Sequence, residues 1–154
     1  MPPRRFTSRS EQKTMALAKK ILDICMTKNI RLILLSGNLG SGKTVFVRGL
    51  AKAMGVKRPV KSPSFVLIQE YQGAKANLVH ADLYRLDKAP DLEGIGLSEY
   101  LENPKNIVAI EWAEKLPPAW PIPAKTLTLS FHPGRTNNRR VIHIKTFPLL
   151  ISKV

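Results

Sequence analysis

The sequence predicts an α/β fold in which a strand, a glycine-rich loop and a helix form the centre of the molecule. The glycine-rich loop spans residues 37–44 (GNLGSGKT), after a short apolar run at residues 31–36 that is typical of a buried strand. Apolar residues at helical spacing follow it over residues 44–54, up to Gly55. A second continuous apolar run at residues 107–110 is typical of a strand buried on both faces, as in a parallel sheet.

Length and composition indicate one folded domain. The chain has 154 residues, of which 44% are hydrophobic, so it can bury a core. We expect residues 1–9 to form a basic, loosely held arm and residues 10–154 to form a single domain. No apolar run approaches membrane-spanning length, no signal-peptide core follows the N-terminal charges, and Cys25 is the sole cysteine. These features predict a cytoplasmic protein in a reducing compartment.

The chain is strongly basic, with 25 Lys and Arg against 11 Asp and Glu and a net charge of +14. The positive electrostatic field of such a chain raises its encounter rates with RNA, anionic proteins or nucleotides. The charges are scattered and do not alternate with aromatic residues, so general solubility is an equally good explanation.

The first helix is predicted from helical spacing of apolar residues between Leu17 and Cys25, ending toward Lys28. Ser8 and Glu11 have the spacing of a capping box, which predicts that the helix begins after Ser8.

The glycine-rich loop matches G-x-x-x-x-G-K-T, the pattern of a P-loop that binds nucleoside triphosphate. Its glycines can adopt positive φ values and direct backbone N–H groups at phosphate oxygens. Lys43 would bring a positive charge to the outer phosphates, and the Thr44 hydroxyl would bind Mg²⁺. A structural glycine turn is the alternative. The predicted nucleotide-binding residues of the loop are Gly37, Asn38, Leu39, Gly40, Ser41, Gly42, Lys43 and Thr44.

The segment after this helix is predicted to be a loop over residues 57–64 and a strand over residues 65–71. Ser62 and Ser64 are candidates for a segment that senses the γ-phosphate, since many nucleotide hydrolases have a hydroxyl-bearing loop here. An ordinary turn with local serine hydrogen bonds explains them equally well.

Residues 78–86 alternate as a strand does, with His80 and Asp82 on one face. A carboxylate among apolar neighbours costs free energy to bury unless it has a partner. For Asp82 that partner could be the Mg²⁺ shell or an attacking water, or else Arg85 or a lysine in a structural ion pair. A packed or hydrogen-bonded role is the better expectation for His80.

Residues 87–103 read as a loop and a short helix, and Glu111 follows the apolar run at residues 107–110. Ligands of open α/β sheets bind beyond the carboxyl ends of the strands, so Glu111 is predicted as the second metal carboxylate rather than a surface glutamate. Trp112 could form one wall of the nucleotide site, or it could simply pack against neighbouring side chains.

The C-terminal part is predicted to form a β-hairpin. Several prolines between residues 117 and 123 make a stiff connection, and residues 126–131 and 140–146 both alternate around a basic loop. Arg135 in that loop could reach a phosphate or base, or it could be a solvated arginine.

Several motifs together resemble one family, the bacterial TsaE (YjeE) ATPases of tRNA threonylcarbamoyladenosine (t6A) modification. The matching motifs occur in the family's order and cover nearly the whole chain. They are GNLGSGKT (37–44), VRGL (47–50), KSPSF (61–65), HADLYRL (80–86), IEW (110–112) and Gly134-Arg135.

The resemblance implies a P-loop NTPase fold with a mixed, mainly parallel sheet flanked by helices. It implies slow ATP hydrolysis that supports a TsaB-TsaD complex, which transfers threonylcarbamoyl to an adenosine next to the tRNA anticodon. It also implies the roles of the site residues: Lys43 contacts phosphate, Thr44 and Glu111 hold Mg²⁺, Asp82 is needed for hydrolysis, and Trp112 and Arg135 lie at the nucleotide.

The chain departs from the family pattern at two positions. Asn38 stands where the family usually has Asp or Glu, and Ser64 where it usually has Thr, while Lys43, Thr44 and Glu111 are retained. Two other functions stay open from the residues alone. One is a small-molecule or nucleoside kinase with Asp82 as the base, and the other is a nucleotide-dependent RNA-binding module without turnover.

Overall fold

The structure is a computed structural model that describes residues 4–62, 67–86, 96–136 and 138–147. Within these residues the chain forms seven strands, three α-helices and one turn of 3₁₀ helix. In chain order they are β1 (Arg4–Ser8), α1 (Glu11–Lys28), β2 (Leu32–Ser36), α2 (Lys43–Met54), β3 (Ile68–Tyr71), β4 (Asn77–Asp82), α3 (Leu97–Glu102), β5 (Asn106–Glu111), the 3₁₀ turn (Ala113–Lys115), β6 (Thr126–Pro133) and β7 (Arg140–Phe147).

The seven strands form one mixed sheet in the order β1-β7-β6-β2-β5-β4-β3. The four central strands, β6, β2, β5 and β4, are parallel to one another. At the two edges β3 pairs antiparallel with β4, β7 with β6, and β1 with β7. The α/β class, the mixed sheet with a parallel centre and the C-terminal hairpin are thus confirmed. Since β2, β4 and β5 run in the same direction, their carboxyl ends meet at one edge, where Glu111 is in register with Leu35 and Asp82.

The two faces of the sheet carry separate apolar clusters. Helices α1 and α2 pack on one face, around buried side chains such as Ile21, Phe46 and Leu50. The two helices approach closely at Gly49, where a Cβ would lie 2.7 Å from Cα of Met15. The other face is covered by residues of α3 and of the segment after β5, which pack on β2, β4 and β5.

The N-terminal segment differs from its prediction. Arg4–Ser8 pairs antiparallel with β7 along its whole length, so the expectation of a loosely held arm is wrong for these residues. Ser8 is fully buried, and its Oγ donates to the carbonyl of Ser10 (2.8 Å) and shares a hydrogen bond with Oγ1 of Thr14 (2.8 Å). The pairing gives the edge of β7 a hydrogen-bonded partner.

Helix α1 begins two residues later than the capping-box pattern predicts. Ser10 is the N-cap residue, and its Oγ accepts from the backbone N–H of Lys13 at 3.2 Å. The helix ends at Lys28 and is followed by the C-cap residue Asn29, which adopts the left-handed conformation with φ of 54°. The helix itself is confirmed, and the predicted cap at Ser8 is wrong because Ser8 belongs to β1.

The other elements agree with their predictions in part. Helix α2, β5 and the two hairpin strands are confirmed. Strand β4 ends at Asp82, before the predicted end at residue 86, because the chain turns with Leu86 N–H donating to the carbonyl of Leu83 at 3.1 Å. Ser64, the start of the predicted strand at residues 65–66 and the loop at residues 87–95 lie outside the described residues. No helix among the described residues is long and apolar enough to cross a membrane.

Candidate nucleotide-binding site

The glycine-rich loop joins the end of β2 to the start of α2 at the carboxyl edge of the sheet. Gly37, Gly40 and Gly42 have φ values of 135°, 73° and 100°, which side chains with a Cβ rarely adopt. Gly42 is the N-cap residue of α2 and offers no side-chain hydrogen bond to the first turn. The backbone donors at the start of α2 are therefore not capped by a side chain, which favours an anion at this helix end.

Lys43, the first residue of α2, reaches across the loop that precedes it. Its Nζ donates to the carbonyls of Gly37 (2.5 Å) and Asn38 (3.0 Å) and lies 4.2 Å from the ring centroid of Trp112. The side chain is only 4% exposed. The ammonium group is thus held inside the loop, with an aromatic ring on one side.

Burial sets the direction of the Lys43 pKa. Desolvation lowers the pKa of this ammonium group, and the carboxylates of Glu111, Glu114 and Asp82 partly offset that effect. A desolvated ammonium group interacts more strongly with a phosphate than a solvated one does.

Glu111 is held between two side chains from neighbouring elements. Its Oε2 accepts from the hydroxyl of Thr44 at 3.1 Å, and its Oε1 lies 2.9 Å from Nε2 of His80. Glu111 is 2% exposed and His80 is fully buried. Because Nδ1 of His80 has no partner among the described residues, the tautomer with the proton on Nε2 leaves an unpaired acceptor rather than an unpaired donor. That tautomer donates to the carboxylate of Glu111 and orients it.

Asp82 has two donors at the end of β4. Its Oδ2 accepts from the hydroxyl of Ser62 at 3.0 Å, and its Oδ1 accepts from the backbone N–H of Tyr84 at 3.0 Å. The carboxylate is 8% exposed. The expectation that Asp82 has partners is confirmed, but the observed donors are a hydroxyl from the loop after α2 and a backbone N–H, which were not among the predicted partners. A role of Asp82 toward Mg²⁺ or a water stays a prediction.

Trp112 forms one wall of the site. It adopts the left-handed conformation with φ of 58° directly after β5, a backbone geometry that costs free energy in a residue other than glycine. Its ring faces Nζ of Lys43 and packs at 5.0 Å from the ring of Tyr84. The left-handed turn thus directs the indole toward the lysine of the glycine-rich loop.

Arg140 is the arginine that the structure brings to the loop. A Cβ built on Gly42 would lie 2.6 Å from Nε of Arg140, at the first residue of β7. Arg135, in the exposed turn after β6, makes no hydrogen bond or ion pair within the part of the chain that the structure describes. Contact of Arg135 with the nucleotide therefore stays a prediction.

The donor set suits Mg²⁺. Within the described residues no group of three or more His, Cys, Asp or Glu could hold a metal ion by itself. Mg²⁺ commonly binds through one or two protein oxygens together with waters and substrate phosphates. The adjacent hydroxyl of Thr44 and carboxylate of Glu111 fit that requirement beside the lysine.

The structure brings five of the predicted side chains to one edge of the sheet. They are Lys43, Thr44, Asp82, Glu111 and Trp112. Leu39, at the tip of the loop, is 72% exposed, so its role at the nucleotide stays a prediction.

The expectation of a packed or hydrogen-bonded role for His80 is confirmed, but the place of His80 and of Arg140 at this site was not predicted. His80 could have been found, since it lies two residues before Asp82 on the same face of β4. Arg140 had no local signal, because its contact depends on the course of the hairpin.

The fold and this loop define a nucleotide-binding protein of the P-loop class. Comparison with protein families then identifies which one: the family model "Threonylcarbamoyl adenosine biosynthesis protein TsaE" matches residues 8–141. The chain belongs to the TsaE family, which acts in the biosynthesis of t6A in tRNA.

Individual relatives agree with this assignment. The chain is 44% identical to a protein of Aquifex aeolicus named "tRNA threonylcarbamoyladenosine biosynthesis protein TsaE" over 69% of the chain and 74% of that protein. It is 37% identical to the protein of the same name from Bacillus subtilis, over 69% of the chain and 66% of that protein. A solved structure, the crystal structure of Bacillus subtilis YdiB, superimposes with a TM-score of 0.67 at 27% identity, covering 93% of this chain and 84% of that one.

Proposed function

We propose that this chain binds Mg²⁺-ATP and hydrolyses it, slowly by itself, to support t6A modification of tRNA by a TsaB-TsaD complex. The observation that carries the proposal is the Thr44–Glu111 contact of 3.1 Å, which lies beside the buried Lys43. A hydroxyl and a carboxylate next to a phosphate-binding loop are the two protein groups that P-loop hydrolases use for their metal. ATP and Mg²⁺ are therefore the proposed substrate and cofactor.

The residues of the loop would act by neutralising charge. Lys43 and the backbone donors at the start of α2 would bind the outer phosphates and stabilise the charge that develops on the leaving group. Mg²⁺, held through Thr44 and Glu111, would supply further neutralisation of the phosphate oxygens. His80 would hold the Glu111 carboxylate in one orientation through its Nε2–H.

Asp82 would position the attacking water. Its Oδ2 already accepts from Ser62, so the loop at residues 57–62 and the hydrolytic carboxylate are in direct contact. No arginine or glutamine that activates the water emerges from the family motifs, which suggests a low intrinsic rate. We propose that partner binding orders this loop and raises the rate. Since the proposed partners act on tRNA, we expect the protein in the cytoplasm.

The experiment is phosphate release from Mg²⁺-ATP by the purified chain, alone and with TsaB and TsaD. Lys43→Ala and Glu111→Ala serve as the two site variants, and binding of a fluorescent ATP analogue to each is measured in parallel. Release that the partners stimulate and that both variants lose would support the proposal. Binding of ATP without release in any mixture would contradict it and favour a binding module, whereas phosphate transfer to an acceptor hydroxyl would favour a kinase.

A further inference from the structure

A basic groove lies on the surface beside α2, outside the nucleotide site. A cavity of about 520 Å³ is lined by residues of α2 and of the loop that follows it, five of which are basic: Arg48, Lys52, Lys57, Arg58 and Lys61. No acidic residue lines this cavity. A second cavity of about 580 Å³ shares Val56, Lys57 and Arg58 with it and extends to Glu70 and Gly73. We call the two together the basic groove.

Two of the five cations are held in fixed positions. Nε of Arg48 donates to the carbonyl of Val60 at 3.2 Å, which ties the loop to α2. The Arg58 guanidinium donates to the carbonyl of Glu70 at 2.6 Å and stacks at 4.8 Å from the ring centroid of Tyr71. Both guanidinium groups therefore bind carbonyl oxygens, and neither forms an ion pair with a carboxylate within the described residues. Glu70 is the one acidic residue that lines the second cavity.

The three lysines of the groove are exposed and not engaged with the rest of the protein. The side-chain ammonium groups of Lys52, Lys57 and Lys61 make no hydrogen bond or ion pair with any residue that the structure describes. Five like charges around one concavity repel one another, and an anion bound among them would relieve that repulsion. The groove is thus suited to a ligand with several negative charges.

We propose that the basic groove binds the phosphodiester backbone of RNA. Phosphate contacts come typically from lysine, arginine and backbone donors without regard to base sequence. The apolar residues that line the first cavity, which holds all five cations, are Ala51, Val56, Pro59 and Val60. That cavity has no aromatic pocket of the kind that anchors protein partners, and the Tyr71 ring is already covered by Arg58. This chemistry favours RNA over an acidic protein segment.

The groove is connected to the nucleotide site through a short loop. Lys57, Arg58 and Lys61 belong to this loop, and Ser62, the next residue, donates to Asp82. The proposal does not depend on ATP hydrolysis, since the cations that form the groove are separate from Lys43, Thr44 and Glu111.

The test measures binding of a fluorescent, unmodified tRNA transcript by anisotropy between about 50 and 200 mM salt. The groove variant carries Lys52→Gln, Lys57→Gln and Lys61→Gln. The control variant carries Lys28→Gln, Lys125→Gln and Lys145→Gln, which remove the same charge from exposed positions that do not line the groove. All six side chains are exposed, so both variants should fold, and thermal denaturation checks this.

We expect the groove variant to raise the Kd at least about tenfold, since each lost phosphate contact weakens binding by a few-fold. The negative slope of log K against log salt should become shallower by about two, as expected for the loss of three phosphate contacts. The control variant should change the Kd less than about threefold. Lys→Arg changes at the three groove positions should keep the charge and therefore preserve binding. The Lys43→Ala variant should bind RNA as the wild-type chain does. This last variant separates the groove from the nucleotide site.

Three results would overturn the proposal. Equal losses in the groove and control variants would mean a general attraction between the basic chain and RNA. If the wild-type chain did not bind RNA even at the lowest salt concentration, RNA could not be the ligand of the groove. Displacement of RNA by poly-L-glutamate at lower concentration than by unlabelled RNA would instead assign the groove to an acidic protein partner.

Discussion

Replacing His80 tests whether this buried histidine sets the metal affinity of the site. His80→Leu keeps a side chain of similar bulk and removes the Nε2–H that donates to Oε1 of Glu111 at 2.9 Å. Glu111 would then retain only the Thr44 hydroxyl on its other oxygen. We expect the half-saturating Mg²⁺ concentration for ATP hydrolysis to rise about 10- to 100-fold, the usual range for a lost partner of a metal ligand.

The same substitution has a cost in stability that the structure allows us to work out. His80 is fully buried and Glu111 is 2% exposed, so the carboxylate cannot replace the lost donor with bulk water. A hydrogen bond to a charged group contributes about 1.5–3 kcal/mol, which corresponds to a fall in Tm of roughly 3–12 °C for a domain of this size. Differential scanning calorimetry measures this fall.

His80→Gln is the matched control, because the amide nitrogen of glutamine can donate from nearly the position of Nε2. We expect His80→Gln to recover most of the Mg²⁺ affinity that His80→Leu loses. If His80→Leu lowered Tm but left the Mg²⁺ dependence unchanged, His80 would be a packing residue, and the reasoning about Glu111 would be refuted.

Three further predictions concern the loop, the thiol and the tryptophans. Gly42→Ala should cost about 1–3 kcal/mol of stability and abolish ATP binding in equilibrium dialysis, because a residue with a Cβ rarely adopts a φ of +100° and the loop would change conformation to relieve the strain; tight binding by the variant would contradict this. Burial raises the pKa of the Cys25 thiol to about 12, so iodoacetamide at mildly alkaline pH should label it only after denaturation, as mass spectrometry would show. Trp120→Phe removes an indole N–H that has no partner among the described residues, so Tm should change little. Trp112 then remains as the single tryptophan, and its fluorescence should respond to Mg²⁺-ATP because its ring lies 4.2 Å from Nζ of Lys43; no response would argue against nucleotide beside Trp112.

Much of the fold could be predicted from local patterns. The apolar run before Gly37 and the helical spacing after Thr44 each describe a segment whose conformation depends mainly on its own residues. The prediction of the first helix cap was wrong because two serines offered competing capping signals. Ser8 and Ser10 both precede Glu11, and only the pairing of Arg4–Ser8 with β7 made Ser10 the cap. The N-terminal residues looked like an arm because a strand at a sheet edge needs a partner that is distant in the chain.

Local sequence patterns were enough to predict the glycine-rich loop, its lysine and threonine, and the acidic residues that end two strands. They could do so because positive φ values, helix starts and strand ends depend on residues close together in the chain. Three features become visible only in the folded chain: Glu111 contacts both Thr44 and His80, Arg140 lies against Gly42, and five cations line one groove. These contacts depend on strand order and register, which arise from the packing of the whole sheet and its helices and not from any single segment.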